Sequence, residues 1–108
     1  MDQQINDLIK NEIETNEVCL FMKGTPDAPQ CGFSMATSNI LKVLEVNFKG
    51  INVLENQNVR EGIKVFSDWP TIPQLYVKNE LYINDKTKVT IDELSTSNKD
   101  WLKNFISK

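Results

Sequence analysis

The chain has 108 residues, 40% of them hydrophobic and 25% charged, which is one domain's length with enough apolar material for a single core. Its formal charge of −3 implies no broad basic surface, which argues against a general nucleic-acid partner, and no apolar run nears the roughly 20 residues that span a bilayer. With no histidine, general-base chemistry by imidazole is excluded, and two cysteines alone argue against a zinc site.

The N-terminal segment, residues 1–14, is acidic and amphipathic, unlike a signal or transit peptide, and the expectation is a cytoplasmic protein. Ile5, Leu8, Ile9 and Ile13 recur at helical spacing, so residues 3–15 read as an amphipathic helix lying on the core. Val18-Cys19-Leu20-Phe21-Met22 is a continuous apolar run that suits a central strand buried on both faces, with Cys19 in the core. A structural disulfide between Cys19 and Cys31 would need an oxidising compartment, for which nothing else in the sequence argues.

The next stretch, Lys23-Gly24-Thr25-Pro26-Asp27-Ala28-Pro29-Gln30-Cys31-Gly32-Phe33-Ser34, leads from that strand to a segment of helical character. A cysteine at the start of a helix meets free backbone N–H groups and a partial positive charge, and both favour thiolate over thiol. A free cysteine titrates near ~8.5, and such a position beside Lys23 lowers it. The bland reading of a free cysteine is a buried and inert one. Pro29, Gly32 and Ser34 instead indicate an exposed loop, so Cys31 is the candidate reactive group.

Residues 32–45 carry Met35, Ile40, Leu41 and Leu44 at helix-compatible spacing, and residues 47–54 read as a second strand. Strand, helix and strand over this length make a right-handed parallel βαβ unit. Asn58 is placed to cap a helix over 59–66 whose Ile63 and Phe66 point inward, and Arg60 and Lys64 share one of its faces. Taken alone, two such cations are a solvated face. Trp69-Pro70-Thr71-Ile72-Pro73 marks a rigid bend into the strand that follows it. Lys78-Asn79 makes a tight turn, Leu81-Tyr82-Ile83 returns as an edge strand, and residues 84–88 form a polar loop. Thr90-Ile91-Asp92-Glu93 fits a capping box opening a final helix through Leu94, Trp101, Leu102, Phe105 and Ile106. This order predicts an α/β chain with a thioredoxin-like fold, a four-stranded mixed sheet flanked by helices.

Lys23-Gly24-Thr25, Cys31-Gly32-Phe33-Ser34 and Trp69-Pro70-Thr71-Ile72-Pro73-Gln74-Leu75-Tyr76, on this element order, resemble the monothiol glutaredoxins of the CGFS type over about residues 4–83. The resemblance implies that Cys31 ligates iron or forms a mixed disulfide with glutathione. It implies that Lys23, Arg60 and Lys64 face the glycyl carboxylate of glutathione, and that Gly32 lies in the same surface. Thr71 and Ile72 would present backbone groups to the tripeptide, made accessible by a cis Ile72–Pro73 bond, so that it pairs like an added strand. Phe33 would wall the cluster, and Ser34 takes the place of the second cysteine of dithiol relatives, so no C-x-x-C disulfide can form.

One stretch departs from the family. Where the family has a Gly-Gly-Cys-Asp turn after the last strand, which holds the γ-glutamyl end of glutathione, this chain has Tyr82-Ile83-Asn84-Asp85-Lys86-Thr87-Lys88, with no glycine pair and no cysteine.

The resemblance supports a carrier first. Two chains and two glutathiones would hold a [2Fe–2S] cluster for delivery to apo iron–sulfur proteins, as a homodimer when loaded and a monomer when apo. The alternative is a glutathione-dependent thiol–disulfide oxidoreductase without a cluster. Pro26 to Gln30 is typical of the weakly reducing, cluster-binding class and favours the carrier. A third reading is a degenerate interaction module that has lost glutathione affinity.

Overall fold

The structure, a computed structural model, describes residues 3–43, 45–78 and 80–83. The elements run α1 (Gln3–Thr15), β1 (Val18–Met22), α2 (Gly32–Val43), β2 (Lys49–Asn52), a 3-10 turn (Val53–Glu55), α3 (Gln57–Ser67), β3 (Gln74–Val77) and β4 (Glu80–Ile83). This is the expected order up to the hairpin. The polar loop at 84–88, the capping box at Thr90 and the final helix lie outside the described residues.

The sheet has four strands in the order β2-β1-β3-β4. β1 pairs parallel with β2, with Met22 opposite Asn52, and antiparallel with β3, with Phe21 opposite Gln74. A parallel pair cannot be closed by a tight turn, and α2 is the crossover that joins β1 to β2. The mixed sheet is therefore the expected one.

β1 is buried along its whole length, and its alternation divides the core. Cys19 and Phe21 pack with Ile5, Ile9 and Ile13 of α1, Val59 and Ile63 of α3, and Tyr76. Val18, Leu20 and Met22 pack with Ile40 and Leu41 of α2, Leu75 and Val77. Helices thus cover both faces, α1 and α3 on one and α2 on the other.

Two faces and three boundaries differ from expectation. Leu8 and Met35 are exposed rather than core-facing, because the buried stripe of α1 is Ile5-Ile9-Ile13 and that of α2 is Thr37, Ile40 and Leu41. Leu44 lies outside the described residues, and Glu45, expected within α2, is already past its end: it takes a left-handed φ of 58°, and the Val46 N–H turns back to the Leu41 carbonyl at 3.0 Å. β2 ends at Asn52, because its side chain accepts from the Leu54 N–H at 3.0 Å and bends the chain into the 3-10 turn. α3 starts at Gln57, capped by Asn56 rather than Asn58. The Asn56 Oδ1 accepts from the N–H groups of Asn58 at 2.9 Å and Val59 at 3.3 Å.

The two asparagines separate in a stability measurement. Asn56→Ala is expected to lower unfolding free energy in urea by about 1 kcal/mol, and Asn58→Ala by under about 0.5 kcal/mol. Equal effects would contradict the cap assignment.

Candidate functional site

Because β1 and β2 run parallel and β3 runs against them, the ends of β1 and β2 and the start of β3 meet at one edge of the sheet. That edge gathers Lys23, Asn52 and the Thr71-Ile72-Pro73 segment. α2 begins there too, for the Ser34 Oγ accepts from the Lys23 N–H at 3.1 Å.

The loop between β1 and α2 is a closed hairpin. The Gln30 N–H donates to the Lys23 carbonyl at 2.9 Å, Thr25 and Ala28 exchange backbone bonds at 3.2 and 3.1 Å, and Gly24 bridges to Pro29. Gly24 sits at a φ of 91°, and a Cβ there would lie 2.5 Å from the Ala28 carbonyl oxygen, so this turn needs glycine. Lys42 of α2 donates to the Pro26 carbonyl at 2.5 Å and lies 3.7 Å from the Asp27 carboxylate. Pro26 packs so closely on β2 that a Cβ on Gly50 would lie 2.7 Å from its ring.

This hairpin delivers Cys31 to the N-terminal cap of α2, where its carbonyl accepts from the Met35 N–H at 2.9 Å. The Cys31 side chain is half-buried and free of any disulfide. Its thiol is held below its ordinary value chiefly by a hydrogen bond from the Ser34 N–H, with the Phe33 N–H, the Ser34 hydroxyl and the Lys23 charge adding to it, against the cost of burial. Helix-start amides thus outweigh the lysine. Gly32 borders open space, with nothing within 4 Å of where a Cβ would stand, and Phe33 is 64% exposed beside it.

Thr71 is exposed, Ile72 is buried, and the Ile72–Pro73 bond is cis, as expected. Arg60 and Lys64 are half-buried on α3, and Lys64 Nζ lies 3.5 Å from Glu61. Neither makes a hydrogen bond or ion pair to the Cys31 segment among the described residues. The structure therefore brings Lys23, Cys31, Gly32 and Phe33 to the edge where the Thr71–Pro73 segment enters β3, and leaves the two α3 cations without a direct link to the thiol.

Sequence reading missed Gln74. It is fully buried, donates to the carbonyls of Trp69 at 3.3 Å and Thr71 at 3.1 Å, and accepts from the Tyr76 hydroxyl at 3.1 Å. Both strand faces being buried there, its amide replaces water for the bend before Pro73. The available signal was a polar residue inside an apolar strand, two positions from a tyrosine on the same face.

The Glutaredoxin family model matches residues 18–82. The chain belongs to the glutaredoxin family, in its monothiol branch. It is 56% identical over 75 residues to the Rickettsia felis protein named "Probable monothiol glutaredoxin 2", covering 69% of this chain and 72% of that one. It is 52% identical over 83 residues to the mitochondrial monothiol glutaredoxin-5 of Saccharomyces cerevisiae, covering 74% of this chain and 55% of that one. The chain spans under two thirds of the length of several other relatives. Among solved structures, reduced poplar apo GrxS14 superposes with a TM-score of 0.72 at 36% identity, over 96% of this chain and 94% of that one. The glutaredoxin fold explains why Cys31, Lys23 and the Thr71–Pro73 segment share an edge.

The two cysteines of this glutaredoxin differ in kind. Burial, with Glu12 nearby, pushes Cys19 from an ordinary 9.0 up to about 12, and burial likewise pushes Tyr76 from 10.0 to about 12. Both groups stay protonated in the fold at a pH where the unfolded chain ionises. The stability they contribute is therefore complete below about 9 and is lost as pH rises towards 12. Two outcomes are expected. Iodoacetamide should label Cys31 alone in the folded protein, with a pH midpoint below the ~8.5 of a free cysteine. Urea stability should fall from pH 9 upward, less steeply in Cys19→Ala; a flat alkaline profile would contradict the burial of these groups.

Proposed function

We propose that the protein carries a [2Fe–2S] cluster, shared between two copies of the chain, and passes it to apo iron–sulfur proteins. The observation that carries this reading is that each chain presents one accessible, thiolate-favouring sulfur. Cys31 is half-buried at a helix start, Cys19 is fully buried, and Ser34 stands where a second cysteine would close a disulfide. Such clusters take four sulfur ligands. Among the described residues there is no group of three or more histidine, cysteine, aspartate or glutamate side chains able to hold a metal. One chain's donors therefore fall short, and two chains with two small thiols complete the set.

Glutathione suits the open face of the site as that small thiol. In this reading Cys31 supplies the protein's sulfur, and the open space at Gly32 and the exposed ring of Phe33 leave room beside it. Lys23, with Arg60 and Lys64 from α3, offers positive charge to the glycyl carboxylate, and the Thr71-Ile72-Pro73 segment offers backbone groups to the cysteinyl part. The cluster is cargo, held by ligands that can exchange, which suits transfer better than electron conduction. No helix among the described residues is long and apolar enough to cross a membrane, and the cations of the site are too few for a nucleic-acid surface.

Reconstitution with iron, sulfide and glutathione without oxygen is expected to give a brown protein that sediments as a dimer, and a colourless monomer when glutathione is left out. Cys31→Ser should abolish the colour and Cys19→Ala should keep it. Retained colour in Cys31→Ser would overturn the ligand assignment. A colourless wild-type monomer that still reduces glutathione mixed disulfides would establish the oxidoreductase reading instead. Arg60→Ala and Lys64→Ala should each weaken glutathione binding about threefold at low salt and less at high salt.

A further inference from the structure

The backbone around Lys23 is tied on every side, and two of the ties are side chains from distant elements. Its N–H donates to the Ser34 hydroxyl of α2 at 3.1 Å, and its carbonyl accepts from the Gln30 N–H at 2.9 Å. The next N–H, that of Gly24, donates to the Asn52 Oδ1 at 2.9 Å, and the same oxygen accepts from the Leu54 N–H at 3.0 Å. Asn52 is half-buried, lies outside both core clusters and ends β2. One carboxamide oxygen thus pins the first turn of the Cys31 loop to the strand that leads into α3. A hydrophobic residue there would leave two N–H groups without that acceptor.

We propose that Asn52 is a positioning residue for the glutathione site: by holding the Lys23–Gly24 peptide, it aims the Lys23 ammonium at the face where Cys31 stands. Lys23 leaves the sheet at the end of β1, where Met22 is the last paired residue, so the direction of its long side chain depends on where that peptide lies. The Gly24 φ of 91° permits this path, and the Asn52 oxygen selects it. For the glutathione carboxylate, this assignment rests on the reading given above. For the potential at Cys31, it does not.

The test uses the full chain and two readouts. The first is the ratio of Cys31 alkylation rates with iodoacetate, an anion, and iodoacetamide, its neutral counterpart, with the labelled peptide identified by mass. Dividing the two rates cancels thiolate fraction and access and leaves the local charge. Lys23→Ala is expected to lower the ratio about twofold at low salt. Asn52→Ala should lower it nearly as much, and should add nothing in the Lys23→Ala background. Asn52→Gln, which shifts the oxygen by one methylene while keeping polarity, should fall between and secures the test if the alanine variant folds poorly. The second readout is glutathione affinity, expected to weaken about threefold in Asn52→Ala and to show the same non-additivity with Lys23→Ala.

A wild-type ratio in both Asn52 variants overturns the proposal. So does an equal further drop in the Lys23→Ala background, since a residue acting only on overall stability would act regardless of Lys23. If the wild type takes up no glutathione while the alkylation cycle behaves as stated, the glutathione reading falls and the positioning role of Asn52 stands.

Discussion

The grip of one helix start on one sulfur atom governs the rest of this site. The first amides of a helix have no carbonyl partner within it, and they must find one elsewhere. In α2 the N–H groups of Phe33 and Ser34 find the Cys31 sulfur, which acts as the helix's own cap and is lowered in pKa by doing so. The same contacts therefore complete α2 and activate the thiol. Everything upstream serves delivery of Cys31 to that point. β1, buried on both sides, fixes where Lys23 begins, and the loop closes on itself before the helix starts.

Ser34 shows how tightly these roles are joined. Its hydroxyl accepts from the Lys23 N–H while bonding to the sulfur, so one buried side chain links the end of β1 to the thiol. A cysteine at this position would pack in a similar volume but would offer a much weaker hydrogen bond and a second reactive sulfur. Serine keeps the electrostatics and removes the disulfide. Cys19 is the counter-example within the same chain. It lies on the α1 and α3 face of β1, and burial, with the Glu12 charge, drives its ionisation the other way. Position, rather than residue type, separates the two sulfurs.

Much of this was legible in the sequence because local signals and global fold agree. The apolar run Val18–Met22 has the pattern of a strand buried on both faces, and the Pro-Gln-Cys-Gly context marks a loop running into a helix. The Lys23, Cys31–Ser34 and Trp69–Pro73 motifs carry the family, including the cis bond. What escaped depends on contacts between segments. Asn52, Asn56 and Asn58 are the same residue type within a few positions, and which of them caps α3 is settled by where β2 stops. That is decided in turn by the Asn52 oxygen capturing the Leu54 N–H. Leu8 and Met35 fit the helical period yet are exposed, because the buried stripes run along Ile5, Ile9 and Ile13 in α1 and along Thr37, Ile40 and Leu41 in α2. Gln74 looks like an interruption of an apolar strand, and only the bend it supports, through the Trp69 and Thr71 carbonyls, gives it a role.

The ties around the loop also bear on how a small ligand would meet this edge. A flexible loop would lose backbone and side-chain entropy on binding, at a cost of the order of 1 kcal/mol for each ordered residue, and a charged tripeptide on an open surface has few contacts with which to offset it. Here Lys23, Gly24 and Cys31 are already held, by Ser34, Gln30 and Asn52 on one side and by Lys42 and the close approach of Pro26 to Gly50 on the other. The bend before Pro73 is likewise held from within by Gln74 and Tyr76. The two walls of the edge are therefore set by hydrogen bonds already made within the fold, those of Ser34, Asn52, Gln74 and Tyr76 from buried or half-buried side chains. Under the proposed function, a ligand would order mainly itself and the long side chains of Lys23, Arg60 and Lys64. Under that same proposal, a site built this way would retain a thiol ligand through fixed geometry and a few half-buried charges, and would release it to a competing set of sulfurs from the open side at Gly32.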